Sequence, residues 1–149
     1  MYFALYDFNC KKMKVAILVC TALFAYVLAA PQYTEEYFKV HQECQEDVHY
    51  FIANMTVFQE LEFEKKKPED VELPVNFNDH LYCMYVKLFI LTNKGTIDEA
   101  VAADKLKTFF PENANTQQIV ADCSQATANA VNSTIVASSF YFCLLDYFA

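Results

Sequence analysis

Histidine, cysteine and clustered acidic residues are the side chains whose types and spacing could support catalysis or metal binding in this chain. The spacing of His41, Cys44 and His49 matches none of the common zinc patterns. No GxSxG, HExxH, phosphate-binding loop or EF-hand loop is present. Two acidic clusters, residues 60–64 and 69–72, include apolar residues or follow a proline, and we interpret them as solvent-exposed faces. The sequence therefore predicts no enzyme, no metal site and no cofactor.

Cysteine is the most reactive residue type here, with six copies. Two of them, Cys10 and Cys20, lie in an N-terminal segment that has a basic run, fourteen mostly apolar residues and then two small residues. That layout is typical of a secretory signal peptide. We predict that residues 1–29 are removed, with Met13 as an alternative start, and that residues 30–149 form the mature domain. The competing interpretation is an N-terminal anchor, although a membrane span needs about 20 apolar residues.

Four cysteines remain in the predicted mature domain, and an even number in a secreted chain predicts two disulfides. Spacing alone leaves three pairings open among Cys44, Cys83, Cys123 and Cys143. Two sequons, which begin at Asn54 and Asn132, are candidate sites of N-glycosylation. These features together predict an extracellular protein.

The composition limits which fold classes and which kinds of binding partner are expected. A length of 149 residues allows one ordinary domain, and a single glycine argues against all-β and dinucleotide-binding folds. The net charge is −8, or −10 without the predicted signal peptide, and the chain has no arginine. An acidic chain without arginine excludes nucleic acid as an expected partner. We also expect no stable membrane insertion after signal cleavage.

Apolar residues recur at helical spacing along the mature chain, which predicts about six helices and no strand. Thr34 has the side chain and position of a helix N-cap, and Asn132 or Ser133 is the predicted start of the last helix. The segment around Cys83 is the most apolar one, which predicts a central, buried helix. Gly95 is predicted to end that helix in the left-handed conformation.

The cysteine positions resemble the pattern of the insect odorant-binding proteins, and specifically their four-cysteine Minus-C branch. The first, third, fourth and sixth cysteines of the six-cysteine pattern correspond to Cys44, Cys83, Cys123 and Cys143. The segment NDHLYCMYVKLFILTNKGTID, which contains the third cysteine, is similar to the corresponding helix of the family. Asp79 and Thr134 stand in the places of the second and fifth cysteines, which pair with each other in six-cysteine members. Losing both therefore leaves no unpaired thiol.

The resemblance covers roughly residues 33–149 and implies a compact all-α bundle of about six helices around an internal apolar cavity. It implies the disulfides Cys44–Cys83 and Cys123–Cys143. Within such a cavity, a hydroxyl of Tyr85 or Tyr147 could orient a polar ligand group. Helix faces predict a ligand-binding lining made of Phe51, Met55, Phe58, Met84, Leu88, Leu106, Phe109, Phe110, Ile119, Ile135, Val136, Phe140 and Tyr147.

The resemblance further implies a secreted carrier that binds small hydrophobic molecules, such as odorants, pheromones or lipid-like ligands. Such a carrier moves its ligand through sensillum lymph or another body fluid and delivers it to a membrane odorant receptor. Two alternatives remain: a non-olfactory carrier in haemolymph, saliva or reproductive fluid, and a pocket-less secreted interaction, defence or venom-type protein. Because histidine titrates between about pH 5 and 8, we expect weaker ligand binding near pH 5 through His41, His49 and His80.

Overall fold

The computed structural model describes residues 34–109 and 115–148. The predicted signal peptide (residues 1–29), its alternative start at Met13 and the predicted lining residue Phe110 lie outside the described residues. Six helices are described, in chain order α1 Glu35–Gln45, α2 Thr56–Phe58, α3 Phe77–Lys87, α4 Glu99–Phe109, α5 Thr116–Ala126 and α6 Ser133–Phe148. The prediction of an all-α bundle is confirmed.

Helix α2 continues directly into a π-helical turn, Gln59–Phe63, and a short 3₁₀ turn, Pro68–Asp70, precedes α3. The described residues contain no β-strand, and an isolated antiparallel bridge joins Leu91 to Ile97 between α3 and α4. None of the described helices is both long and apolar enough to cross a membrane.

The predicted N-caps of the first and last helices are confirmed by their hydrogen bonds. The hydroxyl of Thr34 accepts from the backbone N–H of Tyr37 at 3.3 Å. The side-chain oxygen of Asn132 accepts from the backbone N–H of Ile135 at 2.9 Å and from the hydroxyl of Thr134 at 2.8 Å. Each cap satisfies a backbone donor that the first turn of a helix leaves without an intrahelical partner.

The predicted end of the central helix is wrong. Helix α3 ends at Lys87, and Phe89, with φ 60°, takes the left-handed conformation that was expected of Gly95. Gly95 also has a positive φ, 75°, but it lies in the turn that follows. A Cβ on Gly95 would lie 2.2 Å from the Oγ of Ser133, so close packing against the start of α6 requires glycine here.

Helix α3 is the centre of the fold, as its apolar sequence predicts. It packs against α1 and α6, while α5 packs against α4 and α6. The buried side chains that it contributes are Phe77, His80, Leu81, Cys83, Met84 and Tyr85. Asp79 and Thr134, the predicted places of the two missing cysteines, lie on α3 and in the first turn of α6 respectively. The assignment to the Minus-C branch stays a prediction.

Two disulfides join helices of this bundle, with the pairing that the family resemblance implies. Cys44 of α1 bonds to Cys83 of α3, and their Cα atoms are 6.0 Å apart. Cys123 of α5 bonds to Cys143 of α6, with Cα atoms 5.6 Å apart. Both distances lie within the usual range for a disulfide. The pairing is thus confirmed, and the two bonds link two pairs of packed helices, α1 with α3 and α5 with α6.

Candidate ligand-binding site

A cluster of aromatic rings and sulfur atoms surrounds His41 on the inner side of α1. We define the histidine–aromatic cluster as His41, His80, Phe58, Met84 and Tyr37. The ring of His41 lies edge-on to Phe58 at 5.2 Å and to His80 at 4.6 Å, measured between ring centroids. Tyr37, one helical turn before His41, lies edge-on to Phe109 at 5.5 Å. Helices α1, α2, α3 and α4 therefore converge on this cluster.

Hydrogen bonds define the orientation of the two imidazoles. His80 Nδ1 is 2.7 Å from the backbone carbonyl oxygen of Tyr50, which can only accept, so this nitrogen carries the proton. His80 Nε2 then presents a lone pair and lies 3.1 Å from His41 Nδ1. Two thioether sulfurs flank His41: Met84 Sδ is 3.4 Å from Nδ1, and Met55 Sδ is 3.3 Å from Nε2.

Burial lowers the pKa of both imidazoles. The pKa of His41 is lowered from 6.5 to about 4. Loss of solvation is the larger cause, and the electrostatic effect of the nearby His80 is the smaller one. Loss of solvation also lowers the pKa of His80, although the bond to Tyr50 opposes the shift. At pH 5 His41 is therefore neutral in the folded protein. The expected protonation of all three histidines near pH 5 is wrong for His41, because that expectation used the pKa of a solvated ring.

A buried carboxyl group lies beside the same cluster and was not expected from the sequence. Glu62 is 7% exposed and accepts a hydrogen bond of 2.8 Å from the hydroxyl of Tyr141. Tyr141 also contacts the ring of Phe58 edge-on, at 6.2 Å. The interpretation of residues 60–64 as a solvent-exposed face is wrong for Glu62. A π-helical turn rotates by a smaller angle per residue than an α-helix. The side chains of adjacent Leu61 and Glu62 therefore both face inward.

Loss of solvation raises the pKa of Glu62 from 4.5 to about 7, although the Tyr141 hydrogen bond and the charge of Lys65 favour the ionised form. Glu62 therefore changes charge near neutral pH. The burial of Glu62 has no signal in the sequence, because Glu60, Glu62 and Glu64 alternate with apolar residues as they would in an exposed segment.

Replacing Glu62 with glutamine is expected to stabilise the protein at pH 8 by up to about 3 kcal/mol and to flatten its pH dependence. The raised pKa means that Glu62 favours the fold fully below pH 4.5 and loses this contribution as the pH rises through 7. Urea unfolding at pH 4.5, 6 and 8 measures the effect. Glu69→Gln, at an exposed site, is the matched control. A Glu62→Gln protein with the pH dependence of wild type would contradict the assignment.

The predicted lining residues fall into three groups in the structure. One group lies in a single buried apolar cluster and consists of Phe58, Met84, Leu88, Leu106, Ile119, Val136 and Phe140. Phe109 is buried against Tyr37, and Ile135 is partly buried. Phe51, Met55 and Tyr147 are respectively 48%, 39% and 47% exposed, so they lie at the surface. The lining of a ligand site stays a prediction, now centred on the buried group.

The two candidate tyrosines differ in environment. Tyr85 is buried and packs edge-on against Phe140, with ring centroids 6.0 Å apart. The hydroxyl of Tyr147 instead donates to the carboxylate of Asp122 at the surface, at 3.2 Å. Of the two, Tyr85 is therefore the one that lies inside the bundle, and its role toward a ligand stays a prediction.

The asparagines of both sequons are exposed. The side-chain oxygen of Asn54 accepts from the backbone N–H and the hydroxyl of Thr56, at 3.1 and 2.6 Å, and Asn132 caps α6 in the same way. Both interactions use the side-chain oxygen, whereas a glycan is attached to the nitrogen. Glycosylation at both positions stays a prediction.

A separate groove of about 420 Å³ lies between the α3–α4 connection and the turn that joins α5 to α6. Its mixed polar and apolar lining consists of Lys94, Gly95, Thr96, Ile97, Ser124, Thr127, Ala128, Ala130, Val131, Asn132, Ser133 and Val136. Val136 alone among these belongs to the predicted ligand lining. The groove is thus a second location to be distinguished from the interior in binding experiments.

Comparison with known proteins adds one finding. A family model described as the PBP/GOBP family matches residues 28–147, which is most of the chain. No curated protein and no solved structure matches the chain significantly.

Proposed function

Because the chain belongs to the PBP/GOBP family, the insect odorant-binding proteins, we propose that it is a secreted carrier of small hydrophobic molecules. The family is one of small-ligand carriers rather than enzymes. We propose that the ligand is an odorant, pheromone or lipid-like molecule, carried through aqueous lymph and delivered to a membrane receptor.

This proposal is supported by the observation that buried apolar residues from different helices meet in one cluster. Phe58, Met84, Leu106, Ile119 and Phe140 come from five different helices and belong to one buried cluster. Helices that meet in this way can separate slightly around a guest, and methionine adapts easily to different ligand shapes. We propose that a ligand lies among these side chains, beside the histidine–aromatic cluster.

Loss of water from the ligand provides the free energy of binding. An odorant that buries about 200 Å² of apolar surface gains roughly 5 kcal/mol, at about 25 cal/mol per Å². The buried hydroxyl of Tyr85 can add one oriented hydrogen bond to a polar ligand group. Binding should therefore depend mainly on ligand size and shape, with a smaller contribution from one polar group.

We expect a fluorescent apolar probe to bind residues 30–149 with one saturable site and to be displaced by odorants or fatty acids. The control variants distinguish the two locations. Leu106→Phe adds volume inside the bundle and should weaken binding, whereas Ala128→Trp obstructs the groove and should leave it unchanged. The opposite result would move the ligand to the groove. No saturable binding would favour the pocket-less interaction protein over the carrier.

A further inference from the structure

Two histidines and a methionine bring two nitrogen atoms and one sulfur atom close together between α1 and α3. His80 Nε2 and Met84 Sδ lie 3.1 and 3.4 Å from the same atom, His41 Nδ1. We propose that His41, His80 and Met84 bind a soft monovalent metal ion of the Cu(I) class. This inference does not depend on the carrier function.

The separations between these atoms suit three ligands of one metal ion. With the bond lengths known for zinc as a guide, about 2.0 Å to nitrogen and about 2.3 Å to sulfur, neighbouring donor atoms lie about 3.3–3.7 Å apart. The two measured separations, 3.1 and 3.4 Å, need to change by only a few tenths of an ångström. His80 and Met84 are 0% and 1% exposed, so the ligands are held by the packed core of α3.

The hydrogen bonds around the imidazoles prepare them for metal binding. His80 Nδ1 donates to the carbonyl oxygen of Tyr50, which leaves Nε2 with its lone pair toward His41. Ligating histidines usually donate their second nitrogen to an oxygen acceptor in this way. When His41 binds metal through Nδ1, its proton moves to Nε2, where Met55 Sδ, 3.3 Å away, can accept it.

The donor set selects the metal class. A thioether is a soft ligand that favours Cu(I), whereas Mg²⁺ and Ca²⁺ require oxygen ligands. Among the described residues, no three His, Cys, Asp or Glu side chains are grouped to hold a metal ion, so a site appears only when methionine sulfur is counted. The sequence prediction of no metal site rested on spacings of histidine and cysteine. Met55, 39% exposed and also contacted by the amide of Gln45, lies against His41 Nε2 and is a positioning residue.

Silver(I) is the probe of choice, because it mimics Cu(I) without a reductant that would break the disulfides. We expect residues 30–149 to bind one Ag⁺ per chain by native mass spectrometry. Residues 30–149 contain two methionines, so ¹³C-methyl NMR should show a large shift for Met84 and a smaller one for Met55. X-ray absorption should show two nitrogen ligands and one sulfur ligand.

Variants locate the site. Met84→Leu keeps the buried volume and should weaken Ag⁺ binding at least tenfold, while Met55→Leu should weaken it only a few-fold. His49→Gln changes an exposed histidine outside the cluster and should have no effect. Thermal unfolding of the metal-free variants checks that each one folds. Unchanged binding in Met84→Leu, unchanged methyl signals, or Zn²⁺ binding as tight as Ag⁺ would overturn the proposal.

Discussion

Replacing Cys44 and Cys83 together by alanine is expected to lower the free energy of unfolding by about 4 kcal/mol. This disulfide closes 39 residues, and the chain-entropy model attributes its effect to the restricted unfolded chain. Domains of this size have a net stability of about 5–15 kcal/mol, so the loss is a large share of the total. Urea unfolding of the double variant at pH 6 measures the loss.

The second disulfide provides the matched comparison. Cys123 and Cys143 close 20 residues, for which the same model gives about 3 kcal/mol. Both changes are made in pairs so that no free thiol remains. Removing the disulfide that closes the shorter loop could lower the free energy of unfolding clearly more than removing the other one. Native packing rather than loop length would then determine the effect, and the entropic explanation would be wrong.

Phe140→Ala is expected to destabilise the fold by about 3–5 kcal/mol, the usual cost of deleting a large buried ring. Phe140 is 0% exposed, packs against Tyr85 and belongs to the buried apolar cluster. Guanidinium unfolding measures the change. On the proposed carrier function, the vacated space should also improve the binding of bulky ligands relative to small ones, because dry apolar cavities accept apolar guests.

Phe38→Ala is the control for this prediction. Phe38 lies on α1 and is 61% exposed, and a surface substitution of this kind usually changes stability by no more than about 0.5 kcal/mol. If Phe140→Ala costs as little as Phe38→Ala, then Phe140 does not belong to a tightly packed core. A broadened ligand preference without a loss of stability would indicate a cavity that is already present around Phe140.

Local rules predicted much of the fold from the sequence. The spacing of apolar residues predicts about six helices, Thr34 has the features of a cap, and Asn132 or Ser133 is the predicted start of the last helix. The apolar segment around Cys83 is predicted to lie at the centre. These features depend on neighbours within one or two helical turns, which the sequence shows directly. The disulfide pairing required the family resemblance, because the cysteine spacing leaves three pairings open.

The candidate site was predicted less completely. Seven of the predicted lining residues share one buried cluster, since helix faces identify inward-facing side chains. Helix faces do not show which buried residues meet each other or where a helix stops. Met55 was placed inside although it is 39% exposed, because α1 ends at Gln45 and α2 begins at Thr56 after an irregular connection.

Only the tertiary structure decided the chemistry of the interior. His41 and His80 are 39 positions apart and Glu62 and Tyr141 are 79 apart, so no local pattern reveals either contact. The pKa of Glu62 and of His41 depends on burial by other helices, which the side chain itself does not specify. Sequence therefore determined the helices and the number of disulfides, through local periodicity and cysteine count. Packing between distant segments determined which polar groups are buried together and what those groups can bind.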